Sequence, residues 1–119
     1  MSGVYTFEFD APDVLLNMND RVHWRKRSVQ VKNWRRAACD AVPANCLELP
    51  PCIVRVTLPV RDTRRRDPMN FVATTKAIVD GMVDAGIWPD DDGTWVTNTE
   101  PKLDKRYPRR VVTVVLEPR

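Results

Sequence analysis

Three arginines (Arg64, Arg65 and Arg66) stand directly before Asp67, with Asn70 close behind. Further along the chain, Asp90, Asp91 and Asp92 are consecutive. Like charges crowded in this way repel, so each cluster needs solvent, counter-charges or a ligand. A carboxylate and an amide offer the hard oxygen donors that Mg²⁺ takes. Guanidinium groups grip phosphate oxygens in a planar, bidentate fork. With a second carboxylate group and Lys76 to stabilise developing charge, these are the parts needed for metal-assisted phosphodiester hydrolysis.

Each part also has a plain structural reading. Asp before Pro68 is a common helix start, in which the carboxylate caps free N–H groups and proline takes the first helical position. The run from Asp90 to Gly93 suits an exposed turn. Lys76 can pair with Asp80 one helical turn on, a surface bridge worth ~0.3–0.5 kcal/mol. His23 and Trp24 lie inside a basic stretch, where Trp24 either packs on the edge of the core or stacks on a base.

The elements that must position these residues are legible from hydrophobic period. Residues 4–10 alternate, with Tyr5, Phe7 and Phe9 on one face, as a half-buried strand does. The stretch from Ala11 to Arg27 has no clean period and reads as a long functional loop. Ser28 is a candidate cap for a helix whose Val31, Trp34, Ala38 and Val42 form a narrow stripe, with Lys32, Arg36 and Asp40 facing water. A second strand spans 52–60, with Val54, Val56, Leu58 and Val60 facing one way. A second helix runs from about Pro68 to Ala85, with Gly86 as its C′ residue. Phe71, Ile78, Met82 and Ala85 line its apolar face, which Val79 and Val83 widen. Lys76, Asp80 and Asp84 lie opposite. Residues 94–101 and 110–118 close the chain as strands around a basic loop. The order β-α-β-α-β-β predicts an α+β fold, a mixed four-stranded sheet covered by two helices.

The chain has 119 residues and a net charge of +3, enough for a single domain over 1–119. No apolar run approaches the ~20 residues of a membrane span. Three cysteines without CxxC spacing read as reduced thiols of a cytosolic protein. Arginine outnumbers lysine in three basic clusters: Arg21, Arg25, Lys26 and Arg27; Arg64 to Arg66; and Lys105, Arg106, Arg109 and Arg110. Such clusters on a domain of pI about 9.0 point to a polyanion partner.

In combination, "RRRDPMN", Lys76 four residues before Asp80, and "DAGIWPDD" resemble the RusA family of Holliday-junction resolvases, common in phages and prophages. "NMNDRVHWRKR" is similar to that family's basic–aromatic N-terminal loop. The resemblance implies a Mg²⁺-dependent endonuclease (Mn²⁺ an alternative) that nicks four-way DNA junctions as a homodimer. By position it implies catalytic Asp67, Asp91 and Lys76, with metal held by Asp67, Asp91, Asp90 and Asn70. Arg25, Lys26, Arg27, Arg64, Arg65, Arg66 and Trp24 would contact DNA. Two departures stand out: Met69 occupies the place of the family's second aspartate, and the stretch between Asn70 and Lys76 is about three residues longer. A DNA-binding protein of the same fold without nuclease activity is the alternative that Met69 raises.

The second helix also bears on assembly. About eighteen residues at a rise of 1.5 Å span roughly 27 Å, which separates Asp67 from the acidic run. Two such helices packed antiparallel about a two-fold axis would complete each site across a dimer and use the broad stripe. Alternatively, residues 86–92 fold back within one chain.

Overall fold

The computed structural model describes residues 3–61, 65–106 and 110–119. Five strands and two helices follow in the order β1 (Tyr5–Asp10), α1 (Trp24–Ala41), β2 (Cys52–Pro59), α2 (Val72–Ala85), β3 (Val96–Asn98), β4 (Lys102–Asp104) and β5 (Val111–Pro118). Short 3₁₀ turns at Ala44–Cys46 and Pro68–Phe71 precede β2 and α2. The architecture is the expected α+β one, with a mixed sheet in the order β1-β5-β2-β3 and β4 also paired to β2. β5 runs antiparallel to both β1 and β2, whereas β3 and β4 run parallel to β2.

The extra strand has a simple origin. β3 pairs with the start of β2 (Cys52–Val54) and β4 with its end (Thr57–Pro59), so the two lie end to end along one edge. Between them Pro101 has no N–H to give the ladder. The Thr99 hydroxyl donates to the Val54 carbonyl instead, at 2.7 Å. The single edge strand of the sequence reading is thus broken into two short ones.

One face of the sheet is covered and the other open. Phe7, Val114 and Val56 form a buried row across three strands, with Leu116 and Val54 in the adjacent row. The alternate positions Thr6, Glu8 and Arg55 are exposed, the alternation that strand period 2 imposes. Both helices lie over the apolar face. Trp34 of α1 is fully buried, meets Phe9 edge to face at 6.4 Å, and donates its indole N–H to the Val14 carbonyl at 2.8 Å. Ile78, Val79 and Met82 of α2 are buried in the same core.

Two expectations about the helices change. α1 begins at Trp24 rather than after Ser28: the His23 imidazole caps it, its Nδ1 accepting the Arg25 N–H at 3.2 Å. A histidine cap is less usual than Ser or Asp, which is why composition pointed to Ser28. The stripe of α2 also needs no second subunit, because Val79 is 1% exposed within one chain. α1 and the sheet together absorb its breadth.

The helices approach backbone to backbone at Gly81. A Cβ there would collide with the Arg35 carbonyl oxygen and lie 3.0 Å from the Ala38 Cβ. Glycine inside a helix ordinarily costs ~1 kcal/mol relative to alanine; here it permits the crossing. At the far end Gly86 closes α2 with φ 101°, its N–H bonded to the Val83 carbonyl at 3.0 Å. Gly81→Ala is expected to destabilise the fold by about 1–3 kcal/mol, the cost of overpacking, read from the urea midpoint. A neutral or stabilising effect would mean that the helices do not touch at this point.

Candidate nucleic-acid interface and acidic site

Backbone pairing brings the three basic clusters to one end of the sheet. β1 ends where β5 begins, and the Ala11 N–H donates to the Arg110 carbonyl at 2.9 Å. β2 ends beside β4, and Val60 N–H donates to the Asp104 carbonyl at 2.9 Å, which sets Arg61 beside Lys105 and Arg106. Both helices also start at this end. The loop of residues 11–23 is fastened between them: Leu16 N–H donates to the Thr74 hydroxyl at 2.8 Å, Met18 N–H to the Asn70 carbonyl at 2.9 Å, and the Arg27 guanidinium to the Asn17 carbonyl at 3.2 Å. Arg21, Arg25, Lys26, Arg65 and Arg110 are exposed there, and Arg27 and Arg66 half-buried. Arg106 forks onto Asp104 through Nε and Nη2, at 2.9 and 3.0 Å. Arg64 and Arg109, which belong to these clusters, lie outside the described residues.

Asp67 and Asn70 occupy the turn on which this end is built. Asp67 caps it as the plain reading expects, one carboxylate oxygen accepting the Met69 N–H at 3.0 Å with Pro68 next in line. The residue itself is exposed. Met69, where a second carboxylate would serve a cation, is 49% exposed and leaves a thioether at the surface.

The second constellation lies on the polar side of α2. The Lys76 ammonium is bonded to Asp80, at 3.0 Å, and to Asp91, fifteen residues on. The surface bridge to Asp80 therefore exists, yet it is half of a three-member group. Asp91 reaches Lys76 because the segment after Gly86 turns back along α2. Lys76 to Ala85 is nine residues, so the return covers roughly 14 Å of helix. The turn is tied to the segment before β2: the Leu49 N–H donates to the Ile87 carbonyl at 2.9 Å, and Trp88 donates its indole N–H to the Pro50 carbonyl at 3.0 Å. Within the acidic run, the Asp90 carboxylate accepts the Asp91 N–H at 2.7 Å and the Asp92 carboxylate accepts the Thr94 N–H at 2.9 Å. Asp90 and Asp92 thus shape the turn, and Asp91 points at α2.

Electrostatics follow from this geometry. Asp91 is held below the usual carboxylate range, chiefly by the Lys76 hydrogen bond, with burial opposing. Lys76 is pushed up by Asp91 first and Asp80 second. Arg35 of α1, which no sequence pattern singled out, grips Asp84 of α2 through Nε at 2.5 Å and Nη2 at 2.8 Å. These partners stand 49 residues apart; the only cue in the sequence was the mid-helix glycine that sets their helices against each other. Cys46 and Cys52 are buried and burial pushes both thiols up, and all three cysteines are free, as the thiol reading expects.

The two constellations do not merge within one chain. Asp67 and Asn70 sit on the 3₁₀ turn before α2, not on an α-helix beginning at Pro68 as the sequence reading had it, and the first turn of α2 lies between them and Lys76. Among the described residues, no group of three His, Cys, Asp or Glu side chains is placed to hold a metal ion. No family model matches the chain, and no curated protein does.

Asp84 offers a pH test of the helix-to-helix clasp. Its carboxyl lies below the ordinary aspartate value of 3.8, first because of the Arg35 hydrogen bond. A lowered folded-state pKa means that the clasp stabilises fully above pH 3.8 and is lost as pH falls below that value. With both side chains well exposed, at 48% and 39%, the contribution is at most about 1 kcal/mol. Asp84→Asn should lower the melting temperature slightly at pH 7 and flatten its fall below pH 4. An unchanged acid limb would show that the pair contributes nothing.

Proposed function

We propose that this chain is a divalent-metal-dependent endonuclease of the RusA type that nicks branched DNA, four-way junctions above all, in recombination and repair. The observation that supports it best is the contact between Lys76 and Asp91. Two residues that the RusA-like pattern assigns to catalysis, fifteen residues apart, meet on the polar face of α2. That helix follows directly on the turn that carries Asp67 and Asn70.

The donor set fits a hard cation, since Asp67, Asn70, Asp90 and Asp91 offer only oxygen. Such a cation, Mg²⁺ or Mn²⁺, would neutralise phosphate charge and lower the pKa of a bound water. The rest of the chemistry falls to the chain. Arg25, Lys26, Arg27, Arg65 and Arg66 would hold phosphates on either side of the scissile one and fix the strand's register. Lys76, a point charge held by two carboxylates, would stabilise negative charge on the departing oxygen.

A dimer would bring the parts together. Asp91 sits on Lys76, one turn into α2, while Asp67 and Asn70 lie on the turn before that helix. A two-fold pair would set the Asp67 and Asn70 of one copy near the partner's Asp91. This rests on the separation of the two groups, not on an apolar stripe. Two-fold symmetry also suits a substrate with two equivalent strands to nick.

Met69 favours a second reading, a branched-DNA-binding protein without nuclease activity, because an exposed thioether stands where the pattern has a carboxylate.

Asp67→Asn and Asp91→Asn homodimers should each cleave at least about 100-fold more slowly, since metal stabilisation is worth several kcal/mol, and both should bind junctions normally. Mixing the two variants should restore one intact site per heterodimer and single-strand nicking. Full cleavage by Asp67→Asn alone would reduce that residue to a helix cap, a role asparagine fills equally well. A mixture that stays inactive after proven subunit exchange would place the site within one chain.

A further inference from the structure

The first turn of α1 displays a feature that phosphate binding does not call for. Trp24 leaves the core entirely: it is 68% exposed, although tryptophan is among the residues that gain most from burial. Its surroundings hold it in place. The His23 ring stacks beside the indole at 5.8 Å and 27°. The Arg25 guanidinium lies 5.2 Å from the indole centroid. The His23 Nδ1 accepts the Arg25 N–H at 3.2 Å, so the cap that starts the helix also orients the imidazole. An aromatic group at the rigid start of a helix loses little freedom when it binds something.

The position says what that something is. Three basic residues, Arg25, Lys26 and Arg27, follow the ring on its own helix turn. Arg27 reaches back to Asn17, and the next residue, Met18, is bonded through its N–H to Asn70. The helix turn that carries the indole is thereby linked, through the loop of residues 11–23, to the turn of Asn70, within a field that attracts polyanions. An exposed aromatic plane flanked by basic side chains is an arrangement that stacks nucleobases, whose flat faces fit whatever the sequence. A continuous duplex keeps those faces inside its own stack. At a branch the stack is interrupted and a face is offered.

We propose that Trp24, braced by His23 and Arg25, is a stacking platform for an unstacked base at the branch point and is the residue that selects branched over linear DNA. This rests on the DNA-binding reading above and adds the part of the substrate that is recognised. Phosphate contacts bind both forms alike, so the platform supplies discrimination where the arginines supply affinity.

Binding of the full chain to a synthetic four-way junction and to a linear duplex of equal length, across a salt series, tests this. Trp24→Ala should weaken junction binding roughly 5- to 150-fold, the range for stacking on one base. It should leave duplex affinity within about two-fold and the salt dependence unchanged. Trp24→Phe should recover most of the loss, because a smaller ring still stacks. Melting curves that match the wild type would show that the effect is not one of folding. Equal weakening on junction and duplex, or weakening on neither, overturns the platform while the DNA-binding reading stands. If the wild-type chain binds neither DNA at low salt, both fall together.

Discussion

The molecule is organised by one close approach, that of Gly81 in α2 to the backbone of α1 at Arg35. Two helices separated by ordinary side chains sit 8–10 Å apart; removing the Cβ at the crossing lets them close further. Much depends on that closeness. Arg35 comes within reach of Asp84, and Trp34, one residue earlier, drops into the core against Phe9. The starts of both helices are brought near enough for the loop of residues 11–23 to bridge them through Thr74, Asn70 and Arg27. A sheet with one apolar face would bury these helices in many ways. The glycine selects one.

From that packing follows a separation of charge along the molecule. The ends of β1, β2 and β4 and the starts of α1, α2 and β5 coincide, so every basic cluster emerges on the same side. The acidic turn follows the far end of α2 and folds back along the helix, setting Asp91 on Lys76. Concentrating cations in this way costs self-repulsion, which a polyanion would relieve. The Lys76 group has the opposite character. Its single ammonium faces two carboxylates, Asp80 and Asp91, so the group is net acidic and a phosphate would approach it only with a cation between.

Periodicity carried most of the fold. The alternation at Tyr5, Phe7 and Phe9, the stripe of α2 and the Gly86 cap all lie as the residues predict, because each depends on neighbours in sequence. What escaped depends on distant partners or rare chemistry. The early start of α1 rests on an imidazole cap, the broken edge strand on a proline and one threonine hydroxyl, and the Arg35–Asp84 clasp on residues whose spacing carries no pattern. The same divide holds in the candidate site. The pairing of Lys76 with Asp80 was readable as a helical turn, whereas the turn of Asp91 back onto Lys76 depends on how the segment after Gly86 is tied to the segment before β2. The broad stripe of α2 was legible as a pattern, but its cause was α1 rather than a second chain.

The central claim is that the gathered arginines and the Lys76–Asp91 group serve one reaction on branched DNA. Strand-resolved cleavage of an end-labelled four-way junction by excess wild-type protein, with Mg²⁺ or Mn²⁺ and then with chelator, measures it most directly. The account predicts paired nicks at symmetric positions near the branch, dependent on the metal, with a linear duplex of the same sequence left intact. Tight binding of the junction with every strand uncut in both metals would contradict it.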